Sequence, residues 1–373
     1  MSDSSRSDGT SSRFFSEERD AWLLGVLRLA ISALLFFNGL RLILELQQGG
    51  YFANYFHMPI LPEHWLPGEA GYGFLLGLQA LAALCAFVGI FPREALLLGS
   101  TLGIYFLLCD RLQFHNNRYA LLLLALLLAF SPCDRSFLLV RGRSHTLPHE
   151  ERVAPTFARR LFQIQVSLVY LGSAGGKLLD ADWRGGQVLF LRFAQAPQFW
   201  AEHGVPLPAW AIALVTSTWF ASLAAKTAIL SELFIALGMW LPKTRRLSLW
   251  LGVVFHISIE LSARVELFSW LMIASYLAFV VPELRERRFE FAAGHARAEW
   301  LARLVRWFDW CARFDQRPLS QASPDGPSWF VSNREGQRAS GTLGLARLAE
   351  CIPLLFPLWL PLALVAKLSA KPR

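Results

Sequence analysis

Residues 22–45 read WLLGVLRLAISALLFFNGLRLILE, an apolar stretch long enough for one helix to cross a lipid bilayer. Comparable apolar runs recur along the chain at 72–91, 95–110, 119–133, 159–178, 223–241, 247–263, 266–282 and 343–367. The run from Tyr119 is short, and residues 208–221 could form a separate re-entrant or interfacial helix. The pattern therefore predicts about eight or nine membrane-spanning helices.

The composition agrees with a membrane protein. Hydrophobic residues make up 54% of the chain and charged residues only 17%, which is too apolar for a soluble domain of this length. The formal charge of +8 does not indicate a nucleic-acid partner, because the basic residues lie in short segments between apolar runs. We therefore expect an all-α, polytopic transmembrane bundle with no soluble β domain, whose partner is the lipid bilayer.

The distribution of basic residues predicts an orientation. Every even-numbered connection between the apolar runs carries arginine or lysine, whereas the first odd-numbered one, residues 47–71, carries neither. Since positive residues are retained on the cytoplasmic side, the N-terminus is expected in the cytoplasm.

Four regions follow from these patterns. Residues 1–20 are Ser-rich and charged and are expected to be a disordered cytoplasmic N-terminus, and 21–285 form the transmembrane domain. In 286–342 we expect an interfacial amphipathic helix and a linker, since apolar residues from Trp300 to Cys311 share one helical face with arginines around it. Residues 343–373 should form a C-terminal membrane helix.

A polar stripe runs along the fifth apolar run. Gln163, Ser167, Tyr170, Ser173 and Lys177 recur at the spacing of one helical face, which should be turned toward protein or a cavity. Three nearby glycines, at 172, 175 and 176, should let a neighbouring helix or a flat ligand approach the backbone.

Lys177 has two interpretations. It could extend outward to pair with Asp180 or Asp182, or it could be held neutral by apolar surroundings and act as a base. Other polar residues that the orientation places near the same membrane face include His256 and the segment from Asp110 to Arg118. The five cysteines show no metal-ligand spacing, so no metal is expected.

Three segments resemble one known family. They are QVSLVYLGSAGGKLLDADWRGG at 165–186, HNNRYALLLLA at 115–125 and FHISIELSARVELFSWLMIAS at 255–275. Together they resemble the vitamin K-dependent γ-carboxylases and their shorter bacterial relatives, the horizontally transferred transmembrane (HTTM) family. The resemblance covers about residues 20 to 285 and implies a multi-pass protein of the bacterial inner membrane.

The resemblance implies a site that opens on the external side. In the carboxylases a lysine deprotonates vitamin K hydroquinone, and oxygen turns the quinone into a base strong enough to remove a γ-proton from peptide glutamate before CO2 adds. Here it implies vitamin K hydroquinone or another quinol as cofactor and a peptide or protein glutamate as substrate. The implied catalytic residues are Lys177 and His256. The implied cofactor-binding residues are Asn116, Asn117, Tyr170 and Trp183.

Departures from the family pattern leave alternatives open. The carboxylases carry two lysines before Leu-Asp-Ala-Asp-Trp, so counting from Gln165 aligns Lys177 with the base, whereas counting back from Trp183 aligns Leu178. Asn117 stands where the family has a functional histidine, although His115 lies two residues earlier. The chain also lacks a large β-rich region after the helices. The alternative is a non-carboxylating relative that binds a quinone, lipid or partner protein in the same cavity.

Overall fold

The structure is a computed structural model that describes residues 14–53, 56–138, 149–263, 265, 267–281, 284–319 and 326–369. The chain divides into two compact units, Met1–Phe279 and Val280–Arg373. The first unit is largely helical, and the second combines helices with a small sheet.

The first unit contains thirteen α-helices within the described residues. They are α1 (Trp22–Gln47), α2 (Glu69–Val88), α3 (Pro92–Cys109), α4 (Asn116–Ala129), α5 (His149–Arg152), α6 (Phe157–Leu179), α7 (Ala181–Gly185), α8 (Gln187–Phe193), α9 (Ala196–Glu202), α10 (Ala209–Val215), α11 (Thr218–Gly238), α12 (Arg245–Ala263) and α13 (Phe268–Ser275). A 3-10 turn, Tyr276–Phe279, extends α13. The segment 208–221, left open by the sequence, is thus divided between α10 and the start of α11.

Helices α1 to α4 pack in chain order. Helix α1 packs on α2, α2 on α3, and α3 on α4, while α6 packs on α11 and α11 on α12. Small residues allow close approach where α1 meets α2, since a Cβ built on Gly39 would lie 3.5 Å from that of Ala80. Helix α4 also contacts α6, which connects the two helix groups.

Three described helices are long and apolar enough to cross a membrane, namely α1, α2 and α11. Helices such as α4 are apolar but shorter, at 14 residues. The structure therefore supports a helical membrane protein, and the expected bundle of eight or nine spans is not confirmed.

A two-stranded sheet joins the segment before α1 to the segment before α6. Strand β1 (Glu18–Asp20) pairs antiparallel with β2 (Val153–Pro155), so part of the segment expected to be disordered is ordered here. The physical reason is Asp20, whose carboxylate accepts hydrogen bonds from Arg152 at 2.9 Å and from the Trp22 amide at 2.8 Å, and lies 2.7 Å from His149 Nδ1. The rest of the predicted N-terminus, residues 1–13, lies outside the described residues.

The Asp20 contacts predict a loss of stability in acid. Burial alone raises the pKa of Asp20, but the hydrogen bonds from Arg152, Trp22 and His149 outweigh it and lower the pKa below its usual value. A carboxyl with a lowered folded-state pKa stabilises the fold above its unfolded pKa, and that contribution is lost as pH falls through the folded value. We expect Asp20→Asn to have a lower melting temperature than wild type in detergent at neutral pH. This difference in melting temperature should shrink as pH falls below the usual aspartate pKa of 3.8 and through the lower folded-state value. Glu18→Gln, at an exposed position on the same strand, is the control. If both substitutions lowered the melting temperature equally, the contacts of Asp20 would not be the source of the stability.

The second unit contains a four-stranded sheet of order β4-β3-β5-β6. Its elements are β3 (Arg287–Phe291), α14 (Ala296–Phe308), β4 (Phe314–Pro318), β5 (Trp329–Ser332), β6 (Arg338–Ala339), α15 (Gly341–Cys351) and α16 (Trp359–Ser369). Strands β3 and β4 are parallel, with α14 as the crossover, and the other pairs are antiparallel. The expectation of no β domain is therefore wrong for 286–342. Its strands of two to five residues are too short to show a clear alternating pattern.

One further expectation for this unit needs correction. The apolar run 343–367 is two helices, because Pro353 and Pro357 interrupt it with the 3-10 segment Pro353–Leu358. In α14, the face packed in the core carries Ala298, Ala302 and Val305. Its tryptophans are exposed.

Candidate functional site

The polar stripe of α6 ends in an ion pair with α11. Lys177 Nζ lies 2.5 Å from Glu232 Oε1 and 2.9 Å from Ser173 Oγ, and Ser173 Oγ lies 3.0 Å from the same carboxylate oxygen. The side chains are largely buried, with 16% of Lys177 and 5% of Glu232 exposed. Because Ser173 and Lys177 are one helical turn apart, both reach Glu232 from one face of α6.

The two aspartates that follow Lys177 do not pair with it. Asp180 instead accepts hydrogen bonds from the amides of Asp182 and Trp183, at 2.8 and 3.3 Å, and so caps the start of α7. This turn brings the Trp183 ring to 4.9 Å from Lys177 Nζ, a cation–π distance. Trp183 thus covers the lysine.

A second polar group lies on the same face of α6. Tyr170 Oη is 2.6 Å from His256 Nε2 of α12, and it also hydrogen-bonds to the hydroxyl of Tyr276. All three side chains are buried. Gly252 makes room for this contact, since a Cβ there would lie 2.3 Å from Tyr276 Oη.

Two buried polar atoms of these groups are unsatisfied. Glu232 Oε2 and His256 Nδ1 have no hydrogen-bond partner among the residues that the structure describes. Such atoms cost about 1–3 kcal/mol each when left unpaired, so a bound molecule that satisfied them would be stabilised. Both therefore indicate the position of a polar ligand or water.

The N-terminal half of the stripe makes structural contacts. Gln163 donates to the carbonyl of Ala278 at 2.7 Å, and Ser167 accepts from Trp240 Nε1 at 2.8 Å. The stripe therefore faces other helices along its length, in agreement with its spacing. No described helix packs against the neighbouring glycines, since a Cβ on Gly172, Gly175 or Gly176 would meet no described atom within 4 Å. The alternative, a flat ligand beside them, stays a prediction.

Asn116 and Asn117 begin α4, and His115 caps that helix by accepting from the Asn117 amide at 3.3 Å. A cavity of about 540 Å³ lies beside this segment, with aromatic and charged residues in its walls. Its lining includes Glu45, Tyr51, Tyr72, His115 and Arg118. Lys177, His256, Asn116 and Asn117 are not among the residues that line this cavity.

Sequence reasoning missed Glu232 and Tyr276. Glu232 is the single carboxylate of the apolar helix α11, and an ionisable residue within such a helix is by itself a signal of function. Tyr276 carried no comparable signal, because tyrosine is common in apolar helices and its partner is more than 100 residues away. Within the described residues no group of three or more His, Cys, Asp or Glu could hold a metal ion.

The first unit is that of a helical membrane protein with ionisable groups buried between its helices. The chain belongs to the HTTM family, since the HTTM domain model matches residues 16–283. Comparisons with curated proteins and with solved structures found no match.

Proposed function

We propose that the protein is a membrane-embedded enzyme that takes a proton from a reduced quinone, as the γ-carboxylases that its sequence resembles do. The observation that carries the proposal is the buried contact between Lys177 Nζ and Glu232 Oε1 at 2.5 Å. Burying two ionisable groups between apolar helices costs stability, and such groups usually mark a functional site.

The surrounding residues fit a quinol. Its ring hydroxyls need hydrogen-bond partners, and Glu232 Oε2 and His256 Nδ1 are buried without one among the described residues. Trp183 offers an aromatic face beside Lys177. A reduced vitamin K would supply an acidic hydroxyl and, with oxygen, the strong base that removes a glutamate γ-proton.

The base is the ion pair and not the lysine alone. With the pair charged, Lys177 already holds its proton and donates it toward Glu232. The lone pair left to receive another proton is on Glu232 Oε2. Lys177 then remains positive and stabilises the negative charge that the departing proton leaves behind. Tyr170 and Tyr276 hold the ring of His256 in place.

The activity test uses purified protein in lipid vesicles with reduced vitamin K, oxygen, labelled CO2 and a glutamate peptide. We expect epoxide to form, and Lys177→Ala to lower its rate by about 10²–10³-fold, the range for loss of one group that stabilises charge developing in the transition state. Lys226→Ala is the matched control, because Lys226 is an exposed lysine on α11. An unchanged epoxide rate in Lys177→Ala would refute the proposal.

Labelled CO2 in the peptide would assign carboxylation, whereas epoxide without incorporated CO2 would assign quinol chemistry on another substrate.

The role of Asn116 and Asn117 in binding the quinol stays a prediction. It is His115 and Arg118 of that segment that line the nearby cavity.

A second candidate function is favoured by that cavity. Its volume of about 540 Å³ is in the range of small-molecule sites, and Arg118 and His115 offer polar contacts beside Tyr51 and Tyr72. A non-carboxylating relative would bind a quinone or lipid there without proton transfer. This candidate predicts that Lys177→Ala still binds quinone and that Arg118→Ala does not. It also predicts that the wild-type protein binds quinone without forming epoxide.

We also propose a multi-pass arrangement in a bacterial inner membrane with a cytoplasmic N-terminus. The support is the basic residues of the even-numbered connections together with the apolar helices. A tag placed before Phe14 should be protected from protease added outside intact cells, and digestion of that tag would reverse the orientation.

A further inference from the structure

Helix α14 of the second unit exposes two large aromatic side chains. Trp300 and Trp307 lie two turns apart on one side of the helix and are 56% and 77% exposed. Ala298, Ala302 and Val305 lie on the opposite side, buried in the unit. The two tryptophans are therefore not needed for the packing of the unit itself.

Basic side chains flank the two tryptophans. Arg297, Arg303 and Arg306 are exposed, and Arg303 lies between Trp300 and Trp307 on the same side of the helix. No carboxylate pairs with these three arginines in the part of the chain that the structure describes. Glu299, the acidic residue of the first turn, accepts a hydrogen bond from the Gly294 amide at 2.8 Å.

Helix α16 of the same unit also exposes apolar side chains. Helix α16 has no buried residue, and Leu364, Val365 and Leu368 are each more than half exposed. Apolar surface of this extent marks contact with a partner or with lipid. Lys367 in its last turn is suited to the membrane boundary, where its amine can reach water.

We propose that the Trp300–Trp307 face of α14 lies on an anionic lipid surface, with its tryptophans at the headgroup level and its arginines on lipid phosphates. The choice of lipid rests on charge and residue type together. Tryptophan is favoured at the bilayer boundary, and an unbalanced set of arginines around an apolar centre is complementary to anionic headgroups. The proposal is independent of the quinol chemistry, since it concerns the second unit.

Fluorescence quenching tests this placement in the full chain. The protein is put in nanodiscs containing phosphatidylglycerol with or without bromine near the headgroup, beside a Trp300→Phe/Trp307→Phe variant. The difference in tryptophan fluorescence between the two proteins reports Trp300 and Trp307 alone. We expect most of the difference signal to be lost in the brominated discs; an unquenched difference signal would overturn the proposal. If that signal is unquenched and the Trp300–Trp307 face cross-links between molecules in a concentration-dependent way, the face binds a second copy of the chain.

The charge requirement is tested with matched variants. Arg303→Glu/Arg306→Glu should reduce quenching of the two tryptophans and remove its dependence on phosphatidylglycerol. Arg288→Glu/Arg317→Glu makes the same charge change at exposed strand positions and should leave quenching unchanged. Equal loss of quenching in both variants would show a general effect of net charge. The arginines of the Trp300–Trp307 face would then have no specific role in lipid binding. Circular dichroism and melting temperature confirm that each variant is folded.

Discussion

Replacing Glu232 by Gln should destabilise the protein by about 3–5 kcal/mol, the cost of leaving one member of a buried ion pair without its partner. Lys177 would keep Ser173 as a hydrogen-bond partner but lose the carboxylate at 2.5 Å. The measurement is thermal or chaotrope unfolding in detergent. Glu45→Gln is the control, because Glu45 forms an exposed pair with Arg41 at 2.9 Å and should cost less than about 1 kcal/mol.

A double variant separates stability from chemistry. Lys177→Met/Glu232→Leu removes both charges, so most of the stability lost in Glu232→Gln should return, as it does when buried ion pairs are replaced by apolar residues. Epoxide formation should be absent in this double variant, because it lacks both the carboxylate that receives the proton and the positive charge that stabilises the product. If Glu232→Gln unfolds no earlier than Glu45→Gln, the two side chains are not paired in the folded protein.

The same pair shows how far sequence alone could reach. Lys177, Ser173 and Tyr170 lie on one face of α6 because helical spacing is local, and that spacing is visible in the residues themselves. Their partners are on other helices: Glu232 on α11, His256 on α12 and Tyr276 after α13. Which helix lies against α6 depends on packing across more than 50 residues of chain, and no local pattern encodes it.

The second unit was predicted less well for a related reason. Strand β3 is only five residues, and its neighbours in the sheet come from 314–318 and 329–332. A short strand of this kind is stabilised by its partners and not by its own sequence. Helical spacing in α14 groups Trp300 and Trp307 on one apolar face with Leu301, but it does not show that the small Ala298 and Ala302 make the close contact with the sheet unit.

Replacing Gly186 by Ala should destabilise the first unit by about 2–5 kcal/mol, from a left-handed backbone conformation and a steric clash together. Gly186 has φ +85°, and a Cβ there would lie 2.5 Å from the backbone of Ser222 on α11. Backbone atoms cannot rotate away as a side chain can. The segment that follows Lys177 would therefore move off the helix that carries Glu232.

Gly185→Ala is the matched control, because a Cβ on Gly185 would meet no described atom within 4 Å. Gly185 is the last residue of α7, so alanine there should leave the melting temperature unchanged or raise it slightly. Movement of α7 in Gly186→Ala should also displace Trp183 from Lys177, and epoxide formation should fall along with stability. Equal melting temperatures for the two alanine variants would show that Gly186 does not pack on α11. The contact between the Lys177 turn and the Glu232 helix would then need another explanation.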